Sequence, residues 1–190
     1  MHITERSRRL LRRASLMLGT IACVVLLGWV TGLAPLVQVL PSFPATQFNS
    51  ALGILGCALA LHSLARGRPR LVAVGATVAA LLGVFTLLQY IFQVELGIDR
   101  LILHEPAIPG PVPLLPGRMA ASTAMLLLLA GTVLAAWPFL RPQAFGEAVV
   151  GSIGITTGAI AGITFLSYAS GLLSSLRFGT ITGMGIPTTI

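Results

Sequence analysis

Residues 66–93 read RGRPRLVAVGATVAALLGVFTLLQYIFQ. Three arginines are followed by an apolar run, Leu71 to Gln93, that holds no charged side chain. A helix rises about 1.5 Å per residue and a bilayer's hydrocarbon core is about 30 Å thick, so roughly 20 apolar residues make one crossing. The run therefore reads as a transmembrane helix with its arginines held at one water interface. Outward from it lie four similar runs: about Ser15 to Val37, Phe48 to Ala65, Met119 to Ala136 and Ala148 to Leu173. The expected fold class is all-α, a polytopic integral membrane helical bundle of about five transmembrane helices.

Composition agrees with this reading. Hydrophobic residues are 55% of the 190 and charged residues 9%, where a soluble domain carries about 25% charged residues. The net charge of +7 would point to nucleic acid in a soluble protein. Here Arg6, Arg8, Arg9, Arg12 and Arg13 all precede the first span, where basic residues anchor a helix on the cytoplasmic side. No nucleic-acid partner is expected; the lipid bilayer is. Cys23 and Cys57 lie midway along separate apolar runs and read as small buried residues, not as a disulfide framework.

Charge also sets the orientation. With the N-terminus inside the cell, Arg66, Arg68, Arg70, Arg141 and the five N-terminal arginines are cytoplasmic, and Arg100, Arg118 and Arg177 are external. The reverse orientation inverts that bias, so the basic residues favour a cytoplasmic N-terminus and the inner membrane. Residues 1–14 then form a basic cytoplasmic segment and residues 15–190 a membrane domain. Its external loop, 94–118, carries Glu95, Asp99, Arg100 and Glu105 with five prolines. The stretch Ser7-Arg8-Arg9-Leu10-Leu11-Arg12 has the look of a twin-arginine export signal. The apolar run after it is long, however, and no small-x-small cleavage site follows.

The chain also resembles itself. Phe48-Asn49-Ser50-Ala51-Leu52 opens the second span and Ala121-Ser122-Thr123-Ala124-Met125 the fourth, and Pro187-Thr188-Thr189-Ile190 comes last. Each holds a polar pair of the kind that caps a helix N-terminus. Thr86-Leu87-Leu88-Gln89-Tyr90 returns as Thr164-Phe165-Leu166-Ser167-Tyr168. The expected building unit is a helical-hairpin repeat of roughly 70 residues that begins and ends at the outer interface. An external C-terminal tail that starts a third unit points to a chain truncated before a sixth span.

Polar groups at the outer ends of the spans are the candidate ligand-binding residues: Asn49, Gln89, Tyr90, Ser122 and Tyr168, with Glu95 and Asp99 from the loop. Two readings stand side by side. Such groups cap helices and bond across them at about 1 kcal/mol or less each, or they line a pocket beneath the 94–118 loop. Leu96 to Leu103 reads as a short amphipathic helix on the membrane surface. His104, Asp99 and Glu105 have no recognised metal spacing, so no metal is expected. Gly28 with Gly32, and Gly154, Gly158 and Gly162, recur at four-residue spacing and mark helix-packing faces. They serve either a neighbour in the same chain or a homodimer.

Several chemistries are disfavoured. His2, His62 and His104 lie at different levels and on different sides, which does not suit a haem held between helices. No Asp or Glu lies well inside a span, which leaves an intramembrane hydrolase or a proton-coupled transporter without its ionisable groups. No catalytic residue and no cofactor is expected.

One further pattern joins these pieces. The cap-like Asn49-Ser50-Ala51 is followed by a span, an arginine-rich turn and a second span. Leu88-Gln89-Tyr90, Leu96-Gly97-Ile98-Asp99, a proline-rich loop, Pro116-Gly117-Arg118-Met119 and Ser122-Thr123-Ala124 then follow in order. Over about residues 45–190 this resembles the multi-span N-terminal input region of bacterial sensor histidine kinases and diguanylate cyclases, often linked to PAS domains. The resemblance implies a sensory module in signal transduction, such as a two-component system, whose output domain lies further along the chain. It carries no catalytic residues over to these positions. The alternatives are a small multi-pass transporter and a structural subunit of a membrane complex.

Overall fold

A computed structural model describes residues 5–38, 45–100, 117–137 and 152. Among the described residues five helices run in the order α1 Glu5–Thr31, α2 Ala34–Val37, α3 Phe48–Ala65, α4 Pro69–Phe92 and α5 Ala121–Ala136, with a 3-10 turn at Ile98–Arg100 before α5. No strand occurs among the described residues. α1, α3 and α4 are long and apolar enough to cross a membrane, and α5 is a shorter apolar helix. The expected span 148–173, with Tyr168, Gly154, Gly158 and Gly162, lies outside the described residues, as do most of the proline-rich loop and the C-terminal tail.

Punctuation in the sequence sets most helix ends. Gly32 ends α1 with φ +71°, and the Leu33 amide reaches back to Gly28 O at 3.0 Å. Gly67 ends α3 with φ +66°; its amide bonds Leu64 O at 3.1 Å, and that of Arg68 bonds Ser63 O at 2.9 Å. Both are Schellman closures, in which the position after the cap is left-handed and favours glycine. Pro69 then opens α4, where its missing N–H costs nothing. A Cβ at Gly67 would meet no atom within 4 Å, so Gly67→Ala tests the backbone alone. It is expected to cost about 1–2 kcal/mol, with Gly67→Asn milder, as read by reversible unfolding in mixed micelles.

Residues 5–14 are helical and continue α1, because arginine is a good helix former. The first span breaks at Gly32 before the single turn of α2, whereas Ser15 to Val37 reads as one span. Asn49 and Ser122 do not hold the N-cap positions of their helices, although Asn49 Oδ1 accepts from the Ser50 N–H of the first turn at 2.9 Å. Gln47 and Ala120 hold the N-cap positions, neither with a side-chain cap bond, and Asn49 and Ser122 sit in the first turns behind them.

α1 lies on α3, α3 on α4 and α4 on α5, while α5 also reaches α3. Consecutive members of this row are antiparallel. Ser15 near the start of α1 meets His62 near the end of α3. At the other end, Trp29 Nε1 donates to Thr46 O at 2.8 Å, just before α3 begins. The arginines at positions 6–13 and 66–70 thus share one end of the row. Asn49, Gln89 and Asp99 meet at the other.

The interior is built from small side chains. Ala51, Ala58, Ala60, Ala76, Ala79 and Ala124 are buried, whereas Leu16, Ile21, Leu27, Val74, Leu81 and Phe85 are exposed. A soluble bundle buries its large apolar groups and shows polar ones to water. This inside-out order instead suits helices that associate in lipid, where close backbone approach replaces the hydrophobic drive. A Cβ built on Gly56 would lie 2.7 Å from Gly75 O, and one on Gly131 would lie 2.7 Å from Ala76 O. Gly28 has a similar role within its own chain, since a Cβ there would sit 2.7 Å from Leu36 Cβ of α2. Gly32 does not, because nothing lies within 4 Å of it.

Candidate functional site

At the end of the row away from the arginine cluster, the connection from α4 to α5 folds back onto the helices. Gln93 closes α4 in the left-handed region, φ 53°, and Gly97, φ +77°, turns the chain into the 3-10 turn that carries Asp99. The described part of the connection resumes at Gly117, also at φ +77°. A Cβ on Gly117 would collide with the Asp99 carbonyl oxygen. Glycine is thus needed twice there, for the backbone angle and for the contact.

Asp99 is the hub. Its Oδ2 accepts from Gln89 Nε2 of α4 at 2.6 Å and from Arg118 Nε at 2.9 Å. Its Oδ1 faces Asn49 Nδ2 of α3 at 3.5 Å, the long limit of such a bond. The side chains of Arg118 and Asp99 are only 6% and 10% exposed, so this ion pair is withdrawn from water. Arg118 also sends Nη2 toward Val94 O at 3.4 Å and stands 5.5 Å over the Tyr90 ring. Tyr90 in turn donates its hydroxyl to Met119 O at 3.0 Å, and Met119 itself is fully buried. One carboxylate therefore ties α3, α4 and both ends of their connection to α5.

A carboxylate surrounded by donors, one of them cationic, is chemically quiet. Each of its partners needs an acceptor, and an ionised carboxylate is acceptor-only. The group fastens the connection to the bundle end and offers no free nucleophile. Buried ion pairs of this kind add little net stability but cost several kcal/mol when one partner is lost. Beneath the hub, Gln89 Oε1 and Thr86 Oγ1 are buried without a hydrogen-bond partner. Their spacing, i and i+3, places them on one face of α4. Leaving such an oxygen unpaired costs about 1–3 kcal/mol each.

Of the candidate residues, the structure brings Asn49, Gln89, Tyr90 and Asp99 together. Glu95 is exposed, and Ser122 is half-buried in the first turn of α5. Of Leu96 to Leu103, expected as an amphipathic helix, the described part holds only the 3-10 turn. The sequence reading takes Arg118 as an external charge and as part of a motif, and misses it as a partner of Asp99. A signal was present: a single arginine after glycine, at the mouth of an apolar span, with an aspartate in the same loop. Thr86 is read only as part of a repeated motif, since a threonine inside an apolar run carries no mark of a buried polar site. Tyr90→Phe removes one bond to a buried carbonyl. It is expected to cost about 1 kcal/mol, measured by the same unfolding in micelles.

Among the described residues no group of three His, Cys, Asp or Glu side chains is placed to hold a metal ion. No family model, no curated protein and no solved structure matches the chain.

Proposed function

We propose that the chain is the membrane-embedded input module of a bacterial signal-transduction protein. It crosses the inner membrane several times as hairpin repeats, with its N-terminus in the cytoplasm. The Arg118–Asp99 lock with its two unpaired oxygens beneath is the observation that carries this reading. It fastens the α4–α5 connection to the bundle and leaves Gln89 and Thr86 incompletely satisfied. A stimulus that loosens the lock would let α4 find a second packing, and a two-state helix shift of that kind is what an input module passes on. The orientation rests on charge. Arg6, Arg8, Arg9, Arg12, Arg13, Arg66, Arg68 and Arg70 share one end, opposite the Asp99 hub. The resemblance of residues 45–190 to input regions of sensor kinases and cyclases supports the same reading.

The test uses the native gene product in proteoliposomes, assayed for autophosphorylation from ATP and for cyclic dinucleotide synthesis from GTP. Asp99→Asn, and the milder Tyr90→Phe, are expected to change basal output about tenfold for each ~1.4 kcal/mol of shift between the two packings. Unchanged output with a demonstrably opened lock would refute it. So would solute uptake by vesicles that carry the protein, which would move the transporter reading ahead.

A further inference from the structure

At the arginine-rich end a second feature stands apart from the Asp99 hub. A groove of about 560 Å³ runs between α1 and α3. Its floor is made of small residues, Gly19 and Ala58, whose Cβ positions would be 3.7 Å apart. Leu16, Val24, Leu27 and Leu59 form apolar rims, all of them exposed. Along α1 it extends from Ser15 to Leu27, roughly 18 Å at 1.5 Å per residue. That is close to one leaflet of a hydrocarbon core about 30 Å thick.

One end of the groove is polar. Ser15 Oγ donates to Arg12 O at 2.9 Å and lies 3.3 Å from His62 Nδ1. With the hydroxyl hydrogen directed at Arg12, the ring is the donor in that contact. Arg12 lies one turn beyond Ser15, and Arg66 one turn beyond His62. Both are exposed, and neither has an acidic partner among the described residues. The only acidic residue described at this end, Glu5, is already paired with Arg8 at 3.9 Å.

We infer that this groove is a binding site for an anionic phospholipid, with an acyl chain lying between α1 and α3 and the phosphate held by Arg12 and Arg66 beside the polar Ser15–His62 end. Charge complementarity selects the headgroup, and the leaflet-length apolar trough selects the chain. A zwitterionic lipid fills the trough but gains less from the arginines. Each arginine beside an anionic lipid is worth about fivefold in occupancy. The inference rests on the membrane-spanning reading but is independent of the Asp99 lock.

The test is native mass spectrometry of the intact purified protein with added phosphatidylglycerol, phosphatidylcholine or glycerol phosphate. Phosphatidylglycerol is expected to be retained more than tenfold over phosphatidylcholine. The double variant Arg12→Gln/Arg66→Gln is expected to lose that preference while still holding either lipid. Cys23→Trp, an exposed position on the groove wall, is expected to displace both lipids. All these changes are at exposed positions, so helical circular dichroism and a monodisperse elution should persist. Equal retention of the two lipids would overturn the inference, as would a preference that survives the double arginine variant. Glycerol phosphate binding as well as the whole lipid would do the same, and so would a lipid-free dimer in which a second copy fills the groove. Release of the protein from membranes by alkaline carbonate would sink the membrane reading itself, whereas a missing preference in a membrane-retained protein sinks only the lipid site.

Discussion

Asp99→Asn is expected to lower the unfolding free energy of the bundle by about 3–5 kcal/mol. The substitution hardly changes the shape of the side chain. It removes the counter-charge of Arg118, whose side chain is 6% exposed, and offers an uncharged amide in place of the carboxylate to the donor-only guanidinium. Arg118→Met should cost a similar amount from the other side, because Asp99 is then buried without its cation. The double variant Asp99→Asn/Arg118→Met closes the cycle and removes both charges, so its cost should fall well below the sum of the singles. A double-mutant cycle on equilibrium unfolding in mixed micelles measures the coupling. Additive single effects would mean that the two side chains do not depend on each other.

The second large effect is steric. Gly75→Ala would place a Cβ 2.5 Å from Gly56 O and 2.9 Å from Ala60 N, both backbone atoms of α3. Neither can swing aside as a side chain end can, so α3 and α4 must separate along their whole contact. A cost of about 1–3 kcal/mol is expected for the alanine, and Gly75→Leu should prevent the hairpin from closing. Gly67→Ala serves as the contrast, since it adds the same methyl group where nothing stands within 4 Å. If Gly75→Leu still lets the hairpin close, close approach of the helices is not what holds α3 to α4.

Much of the architecture could be read from the chain because its punctuation is strong. Arg66-Gly67-Arg68-Pro69 marks a helix end, a reversal and a helix start within four residues, and α3 and α4 meet there. The α1 boundary was harder to read. Its arginines argue against a span but favour a helix, and the helix runs through both regimes from Glu5. The site was partly legible. Asn49, Gln89, Tyr90 and Asp99 are polar groups at span ends or in the loop, and the hairpin path brings such ends together. Arg118 was not legible as their partner, since its contact with Asp99 spans a proline-rich connection that no periodicity describes. The inward turn of Asn49 was hidden for a different reason. A polar residue at the start of a helix reads as a cap, and only the packed neighbour shows that it faces a carboxylate.

The orientation of the two ends across a membrane is the claim on which the rest depends. It is tested most directly by thiol labelling in intact cells, in a background where Cys23 and Cys57 are replaced by alanine. Leu96→Cys lies on the exposed connection after α4, and Arg68→Cys lies at the turn before it. A membrane-impermeant maleimide is expected to label position 96 from outside, and position 68 only after the cells are opened. Labelling of both positions from the same side would contradict a crossing by α4, and with it the placement of the Asp99 lock on the outer face.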